Sequence, residues 1–248
     1  MSVKVKDWVY GIHPVMELLR SGKEIEKVFI QKDLSSDGLE EIKQLLRDRS
    51  VQYQLVPLAK LNRMVPRNHQ GIIGLQAPVN YWEVESLLPQ IYEKGEDPLF
   101  LILDRVTDVR NFGAMLRTAE CLGVHGVIFP SKESALINSD AVKSSAGAIF
   151  HIPLCKVSSM EKVVRYLQSS GLKIFACTEQ GSDFIESADL KGPCALILGS
   201  EEDGISNYLL KNADQLLRIN MKGKTSSLNV GAAAAISLYE ITRQRNIG

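Results

Sequence analysis

Three stretches of this chain gather side chains able to hold a polar ligand and act on it. The first, DRVTDVRNFGAMLRTAE, carries Asn111 and, six residues later, Arg117. Asparagine at a helix start can cap, donate and accept. A lone arginine on a helix is usually a solvated charge, but Gly113, Ala114, Thr118 and Ala119 around Arg117 are small and mark a tightly packed face. An arginine in such a setting suits a phosphate. In the second stretch, GSEEDGIS, Gly199 and Gly204 bracket Ser200, Glu201, Glu202 and Asp203. Three adjacent acids suit a cation, yet with no histidine nearby they do not require a metal, and none is assigned. The third, NMKGKTSSLN, opens a helix at Ser226-Ser227, where a serine hydroxyl can accept from the unpaired N–H groups of the first turn. A helix start offers free donors and a partial positive charge, and Asn229 falls in that first turn. Gly231 and the alanines 232–235 allow a second backbone or a flat ligand to approach closely.

Several other chemistries are unsupported. Gly223-Lys224-Thr225 ends like a phosphate-binding P-loop, but Arg218 stands where the required first glycine belongs. No GxGxxG follows a predicted strand and no GxSxG occurs, so neither an ordinary dinucleotide site nor a hydrolase elbow is indicated. His13, His69, His125 and His151 lack metal-ligand spacing, and Cys121, Cys155, Cys177 and Cys194 form no CxxC pair. Buried thiols are the expectation for the cysteines.

Elements must position these stretches, and the hydrophobic pattern supplies them. Beyond Pro98 strands and helices alternate: strands at 99–103, 126–129, 172–177, 194–198 and 215–219, an extended stretch at 150–154, and helices at 111–122, 140–145 and 160–168. Leu99–Leu103 is a continuous apolar run, suited to a strand buried on both faces. Alternation of this kind predicts an α/β fold with a mostly parallel sheet. Ligands in such folds bind beyond the C-terminal ends of the strands. All three polar, glycine-bearing stretches follow predicted strands, so one shared site is expected.

Residues 1–78 read as a separate small α/β unit, with helices at 14–20, 39–49 and 58–64 and strands at 27–31, 51–56 and 71–77. The unit holds twelve basic and nine acidic residues, a net of +3. Lys60, Arg63, Arg67 and His69 crowd one segment, which is either a solvated surface or a footprint for a phosphate backbone. Residues 79–97, with five acids, one lysine, Pro89 and Gly95, read as a linker with some helix. Across the 248 residues, 29 basic side chains balance 29 acidic ones, so any nucleic-acid surface must be a local patch. The N-terminus lacks a signal-peptide core and the alanine-rich helix is too short and too charged to span a bilayer. A cytoplasmic protein is expected.

NFGAMLRTAECLG, LGSEEDGIS and INMKGKTSSLNVGAAAAISLYE resemble, in order and spacing, the three motifs of the SpoU (TrmH-type) RNA 2′-O-ribose methyltransferases of the SPOUT class, over residues 98–245. VYGIHPVMELL and NHQGI resemble the L30e-like substrate-binding domain of the subgroup that methylates guanosine in large-subunit, 23S ribosomal RNA. The resemblance implies a catalytic domain over 98–248 whose sheet ends in a deep trefoil knot. It also implies a homodimer packed through that knotted domain. S-adenosyl-L-methionine is the implied cofactor, held by Leu198, Gly199, Gly204, Ile219, Met221, Leu228 and Asn229. Asn111, Arg117, Glu201, Ser227 and Asn229 are the implied catalytic set, with Arg117 helping to activate the ribose hydroxyl or holding an RNA phosphate, and Glu201 as a group that can orient Arg117. Gly231 stands where many relatives have serine or alanine, and Glu202-Asp203 where they have glycine or a single acid. Two rival readings remain: a transfer-RNA substrate, or a non-catalytic RNA-binding assembly factor of the same fold.

Overall fold

The computed structural model describes residues 8–49, 51–225 and 227–246. Two compact units divide the chain, one of residues 1–80 with 137–139, the other of 81–136 with 140–248.

In the first unit β1 (Trp8–Tyr10), α1 (Ile12–Arg20), β2 (Ile25–Gln31), α2 (Leu39–Asp48), β3 (Tyr53–Val56), α3 (Leu58–Met64) and β4 (Ile72–Gln76) follow in order. The strands form one sheet in the order β1-β4-β2-β3, with only β2 and β3 parallel. Alternation along β2 sends Val28 and Ile30 to one face, where α1 and α2 cover them, and Phe29 to the other, beneath α3. The NHQGI stretch turns out to be a fastening. Gln70 Oε1 accepts from the Ile12 N–H at 3.0 Å, and His69 Nδ1 accepts from the Gly71 N–H at 3.1 Å. That bond leaves the ring proton on Nε2, which donates to Asn62 Oδ1 at 2.9 Å. His69 is 4% exposed with both ring nitrogens used internally, so it leaves the cationic surface on which the sequence placed it.

The second unit comprises α4 (Val84–Glu93), β5 (Leu99–Leu103), α5 (Val109–Cys121), β6 (Gly126–Pro130), α6 (Ser139–Ser144), β7 (Leu154–Val157), α7 (Met160–Ser169), β8 (Lys173–Cys177), β9 (Asp183–Phe184), β10 (Cys194–Leu198), α8 (Asn207–Asn212), β11 (Gln215–Arg218) and α9 (Val230–Asn246). Its seven strands are all parallel, in the order β7-β6-β5-β10-β8-β11-β9. Every residue of β5 and β10 is buried, as expected for central strands covered on both faces. One face carries Phe100, Ile102, Ile128, Ala195 and Ile197 against α4, α7 and α8. The opposite face receives α5 through Phe112, whose ring meets Phe129 edge-on at 5.1 Å. α9 packs beside α5 and over β10.

Two expectations change here. Val84, Leu87, Leu88 and Ile91 are buried in the core of the second unit, so much of the expected linker is a core helix. Its acids lie between the apolar positions and set the average composition without describing the buried face. The stretch 150–154 is not a strand: a 3₁₀ turn occupies Ala148–Phe150, and β7 begins only at Leu154.

The small face of α5 has a specific partner. A Cβ on Gly113 would lie 1.9 Å from Ser144 Oγ and 2.8 Å from the Ser145 backbone nitrogen. Ser144 is pinned by hydrogen bonds from its hydroxyl to the carbonyls of Asp140 and Val109 at 2.8 and 3.1 Å. Gly113→Ala is therefore expected to destabilise the protein by about 1–3 kcal/mol through overpacking. Denaturant unfolding measures this, and an unchanged midpoint would contradict the close approach.

Candidate active site

The C-terminal ends of β8, β10 and β11 open onto a cleft of about 820 Å³. That volume falls in the range of small-molecule sites, about 300–1,000 Å³. Leu198 closes the end of β10, and the loop through Gly199 and Gly204 folds back on itself. Ser200 N–H donates to the Gly204 carbonyl at 3.2 Å and Gly204 N–H to the Ser200 carbonyl at 3.1 Å. Gly199 is required there, because a Cβ would stand 2.1 Å from the carbonyl carbon of Gly204. Ile219 and Met221 continue from β11, and Ser227, Leu228 and Asn229 complete the wall. Met221 and Leu228 remain 39% and 38% exposed, apolar side chains facing open space.

Asn229 organises the polar end. The helix begins at Val230, three residues later than the serine pair suggested, and Asn229 is the residue that caps it. Its Oδ1 accepts from the Gly231 N–H at 3.0 Å and lies 3.4 Å from the Ala232 nitrogen. With Oδ1 committed to the helix, Nδ2 donates to Asn111 Oδ1 at 3.1 Å and to Glu201 Oε1. The opposite amide orientation would set Oδ1 against a carboxylate, so this network fixes the rotamer. Ser226 lies outside the described residues; Ser227 lines the cleft without capping the helix. Asp108 rather than Asn111 caps α5, accepting from the N–H groups of Arg110 and Asn111 at 2.9 and 2.8 Å. Asn111 is thus free to face Asn229.

Three of the five expected catalytic residues, Asn111, Glu201 and Asn229, therefore form one hydrogen-bonded group, with Ser227 in the same wall. Arg117 does not join them. Six residues along α5 from Asn111, it is displaced by about 9 Å along the axis and about 120° around it. Its side chain is exposed and has no hydrogen-bond or ion-pair partner among the described residues. Glu201, expected as an orienter of Arg117, is held by Asn229 instead. Lys60, Arg63 and Arg67 are exposed on and just after α3, whereas His69 is not.

Two contributors escaped the sequence reading. Arg105, in the left-handed region at φ 57°, donates from Nη2 to the Gly204 carbonyl at 3.2 Å and places Nη1 3.6 Å from Asp203. Its neighbour Asp104, 4% exposed, accepts from the Ser206 N–H at 2.6 Å. Together they fasten the loop after β10 to the end of β5. Thr178, Glu179 and Gln180, following β8, form a fourth wall of the cleft with Phe184, over which the Arg218 guanidinium stacks at 4.5 Å. That loop is also polar, glycine-bearing and placed after a strand, so the rule that found the other three also applies to it. Three of the cysteines are held as thiols by burial. Burial pushes the Cys155 thiol up to about 12 and raises those of Cys177 and Cys194, while Cys121 is exposed, against expectation. Among the described residues no three His, Cys, Asp or Glu side chains are grouped to hold a metal.

A parallel α/β sheet whose terminal loops close over a cleft beside an Asn–Glu–Asn group defines this chain as a member of the SpoU family of RNA methyltransferases. Residues 98–239 match the model of the SpoU rRNA Methylase family, and residues 8–82 that of RNA 2′-O ribose methyltransferase substrate binding. The chain is 31% identical over 240 residues to a Bacillus subtilis (strain 168) protein named as a TrmH family tRNA/rRNA methyltransferase, YacO, covering 97% of this chain and 96% of that one. It is 36% identical over 241 residues to a Synechocystis sp. protein named as an uncharacterized tRNA/rRNA methyltransferase, slr0955, covering 96% of this chain and 63% of that one. Among solved structures, the SpoU methyltransferase AviRb of Streptomyces viridochromogenes in complex with AdoMet superposes with a TM-score of 0.63 at 26% identity, covering 97% and 91% of the two chains. An AdoMet-bound rRNA methyltransferase from Sinorhizobium meliloti gives 0.62 at 25% identity, covering 95% and 86%. Among the described residues no helix is long and apolar enough to cross a membrane.

Proposed function

We propose that this protein transfers a methyl group from S-adenosyl-L-methionine to the 2′-oxygen of a guanosine ribose in 23S ribosomal RNA. The observation that carries the reading is the junction of Asn111, Glu201 and Asn229 at the rim of a cleft built from the strand ends. The cleft suits the cofactor chemically as well as in size. Glu179, Glu201, Glu202 and Asp203 line it, and among the described residues the one lining arginine, Arg218, is stacked on Phe184, so a cationic sulfonium meets an acidic wall. Backbone groups of Leu198, Gly199, Gly204, Ile219, Met221 and Leu228 are the partners for adenine and ribose, within the loops that the family reading takes as a trefoil knot.

The bound cofactor supplies an electrophilic methyl group. Asn229 holds the other two polar groups in place. The Nδ2 of Asn111 is free to donate to a ribose oxygen, and the Glu201 carboxylate to accept from its hydroxyl. Holding that hydroxyl in line is worth up to ~7–11 kcal/mol where the geometry is near attack. The part of Arg117 is to bind an RNA phosphate beside the reacting ribose through its guanidinium donors. Arg117→Ala is expected to lower turnover by about 100-fold, the scale of a misplaced reacting group. S-adenosylhomocysteine affinity, read by calorimetry, should hold; loss of both together would make Arg117 structural.

The ribosomal substrate is favoured by the N-terminal unit, which matches a substrate-binding family over residues 8–82 and carries the exposed Lys60, Arg63 and Arg67 on one segment. Mass spectrometry of ribosomal and transfer RNA from a strain lacking the gene tests this: a missing 2′-O-methylguanosine in 23S RNA is expected, and its loss from transfer RNA alone would move the assignment there. The working form is a homodimer. Ile236 and Tyr239 on α9 are 42% and 61% exposed, an apolar stripe beside the exposed Ala232. Tyr239→Arg is expected to convert the dimer to monomer in analytical ultracentrifugation, with a wild-type sedimentation profile excluding this stripe as the interface.

A further inference from the structure

The N-terminal unit carries an aromatic and cationic surface that the described residues leave without a partner. Trp8 of β1 and Lys27 of β2 both pair with Leu75 of β4, so the three side chains stand in one row on one face of the sheet. Tyr10, Ile73 and Phe29 form the next row, and α3 packs on it through Leu61, with Val65 just beyond the helix end. α3 is seven residues long, and Trp8 is left 37% exposed. The indole lies 6.2 Å from the Phe29 ring at 51°. Two ammonium groups flank that same ring, Lys27 Nζ at 5.6 Å and Lys60 Nζ at 6.0 Å from its centroid.

Neither lysine has a carboxylate partner among the described residues. Burial, and then the charge of Lys60, lowers the affinity of Lys27 for its proton. Folding alone favours none of this: a large ring in water forgoes burial, and two unneutralised cations side by side repel. A ligand with a flat apolar face and closely linked negative charges relieves both. An unpaired nucleotide has that form, whereas the bases of a duplex are stacked inside and closed to an aromatic platform.

We infer that Trp8, Lys27 and Lys60 form a stacking site for an unpaired nucleotide of the RNA substrate, its base on the indole and its phosphates on the two ammonium groups. This rests on the reading of the chain as an RNA-modifying enzyme, and it names the face of the N-terminal unit that holds RNA and the form of RNA it holds.

The test uses the full-length protein with a labelled single-stranded dodecaribonucleotide of mixed sequence, a fully paired RNA hairpin, and heparin. Trp8 and Trp82 are the two tryptophans, so a Trp82→Phe background reports on Trp8 alone. The single strand is expected to quench Trp8 emission in parallel with the rise in anisotropy. Trp8→Leu, which keeps apolar bulk, should weaken single-strand binding at least about fivefold while Trp8→Tyr retains it. Lys27→Gln and Lys60→Gln should each reduce the slope of log affinity against log salt by about 0.7. S-adenosylhomocysteine binding should be unchanged throughout, showing that the second unit is intact. Undiminished single-strand binding by Trp8→Leu, with no quenching in the parent, overturns the inference. So does equal quenching by heparin or by the hairpin, which would mark a plain anion surface. If Trp8→Leu binds RNA normally while the enzyme still methylates ribosomal RNA, only this inference fails. If the parent binds no RNA of any form, the proposed function fails with it.

Discussion

Asn229→Asp is expected to lower methyl transfer about 100-fold while keeping the helix cap that Asn229 provides. Aspartate caps a helix as well as asparagine, so the bond to the Gly231 N–H survives. The other half of the side chain changes sign. Where Nδ2 donated to Glu201 Oε1 and Asn111 Oδ1, a carboxylate oxygen would face two acceptors, one of them charged. Glu201 is then repelled, and Asn111 turns its amide to donate from Nδ2, which removes that donor from the ribose; a reacting group displaced by about 1 Å costs on the order of 100-fold in rate. Asn229→Ala removes the cap as well and should lose about 1 kcal/mol of stability along with the activity. Methyl incorporation from a tritiated donor, measured beside thermal unfolding, separates the two effects. An Asp variant with wild-type turnover would sink the idea that this junction aligns the ribose.

Gly199→Ala is expected to raise the dissociation constant for S-adenosylhomocysteine by at least about 100-fold, a loss of roughly 2.7 kcal/mol. The new methyl would sit 2.1 Å from the carbonyl carbon of Gly204 and 2.4 Å from the Ile205 nitrogen, both backbone, so the loop must open. Opening it releases the Ser200–Gly204 pair and the Arg105 bond to the Gly204 carbonyl. Gly204→Ala is the natural contrast. Gly204 has φ 64° but open space where a Cβ would go, so the change costs only the left-handed backbone, about 1–2 kcal/mol. Titration calorimetry on both variants decides whether close approach or backbone freedom governs the loop. Equal losses would show that the closeness at Gly199 is unimportant.

Most of the second unit's elements could be read from the chain because each is dictated locally. Leu99–Leu103 and Cys194–Leu198 are unbroken apolar runs with no polar position to expose, and both are central strands. Helix α3 begins after Pro57 and ends where Val65-Pro66 forbids continuation, so its limits, Leu58 and Met64, are those the residue order predicts. The short strands β1 and β9, three and two residues long, carry too little pattern to be seen. The segment 79–97 misled because its charge average hid four apolar residues at helical spacing.

The family, the alternation that makes a parallel sheet, and the three motifs that supply Asn111, Glu201 and Asn229 are all legible in the order of residues along the chain. Those are matters of residue type and short-range spacing. Which of the candidate residues meet depends on how the helices and strands pack. Asn111 and Asn229 are 118 positions apart and are joined only because α5 and α9 pack side by side. Arg117 was separated from them by the pitch of its own helix, and His69 was taken from the surface by two hydrogen bonds. Arg105 and the loop after β8 gained their places from strand order, which sets β10 between β5 and β8. Contacts of that range depend on how the sheet is ordered, and no local pattern of side chains encodes it.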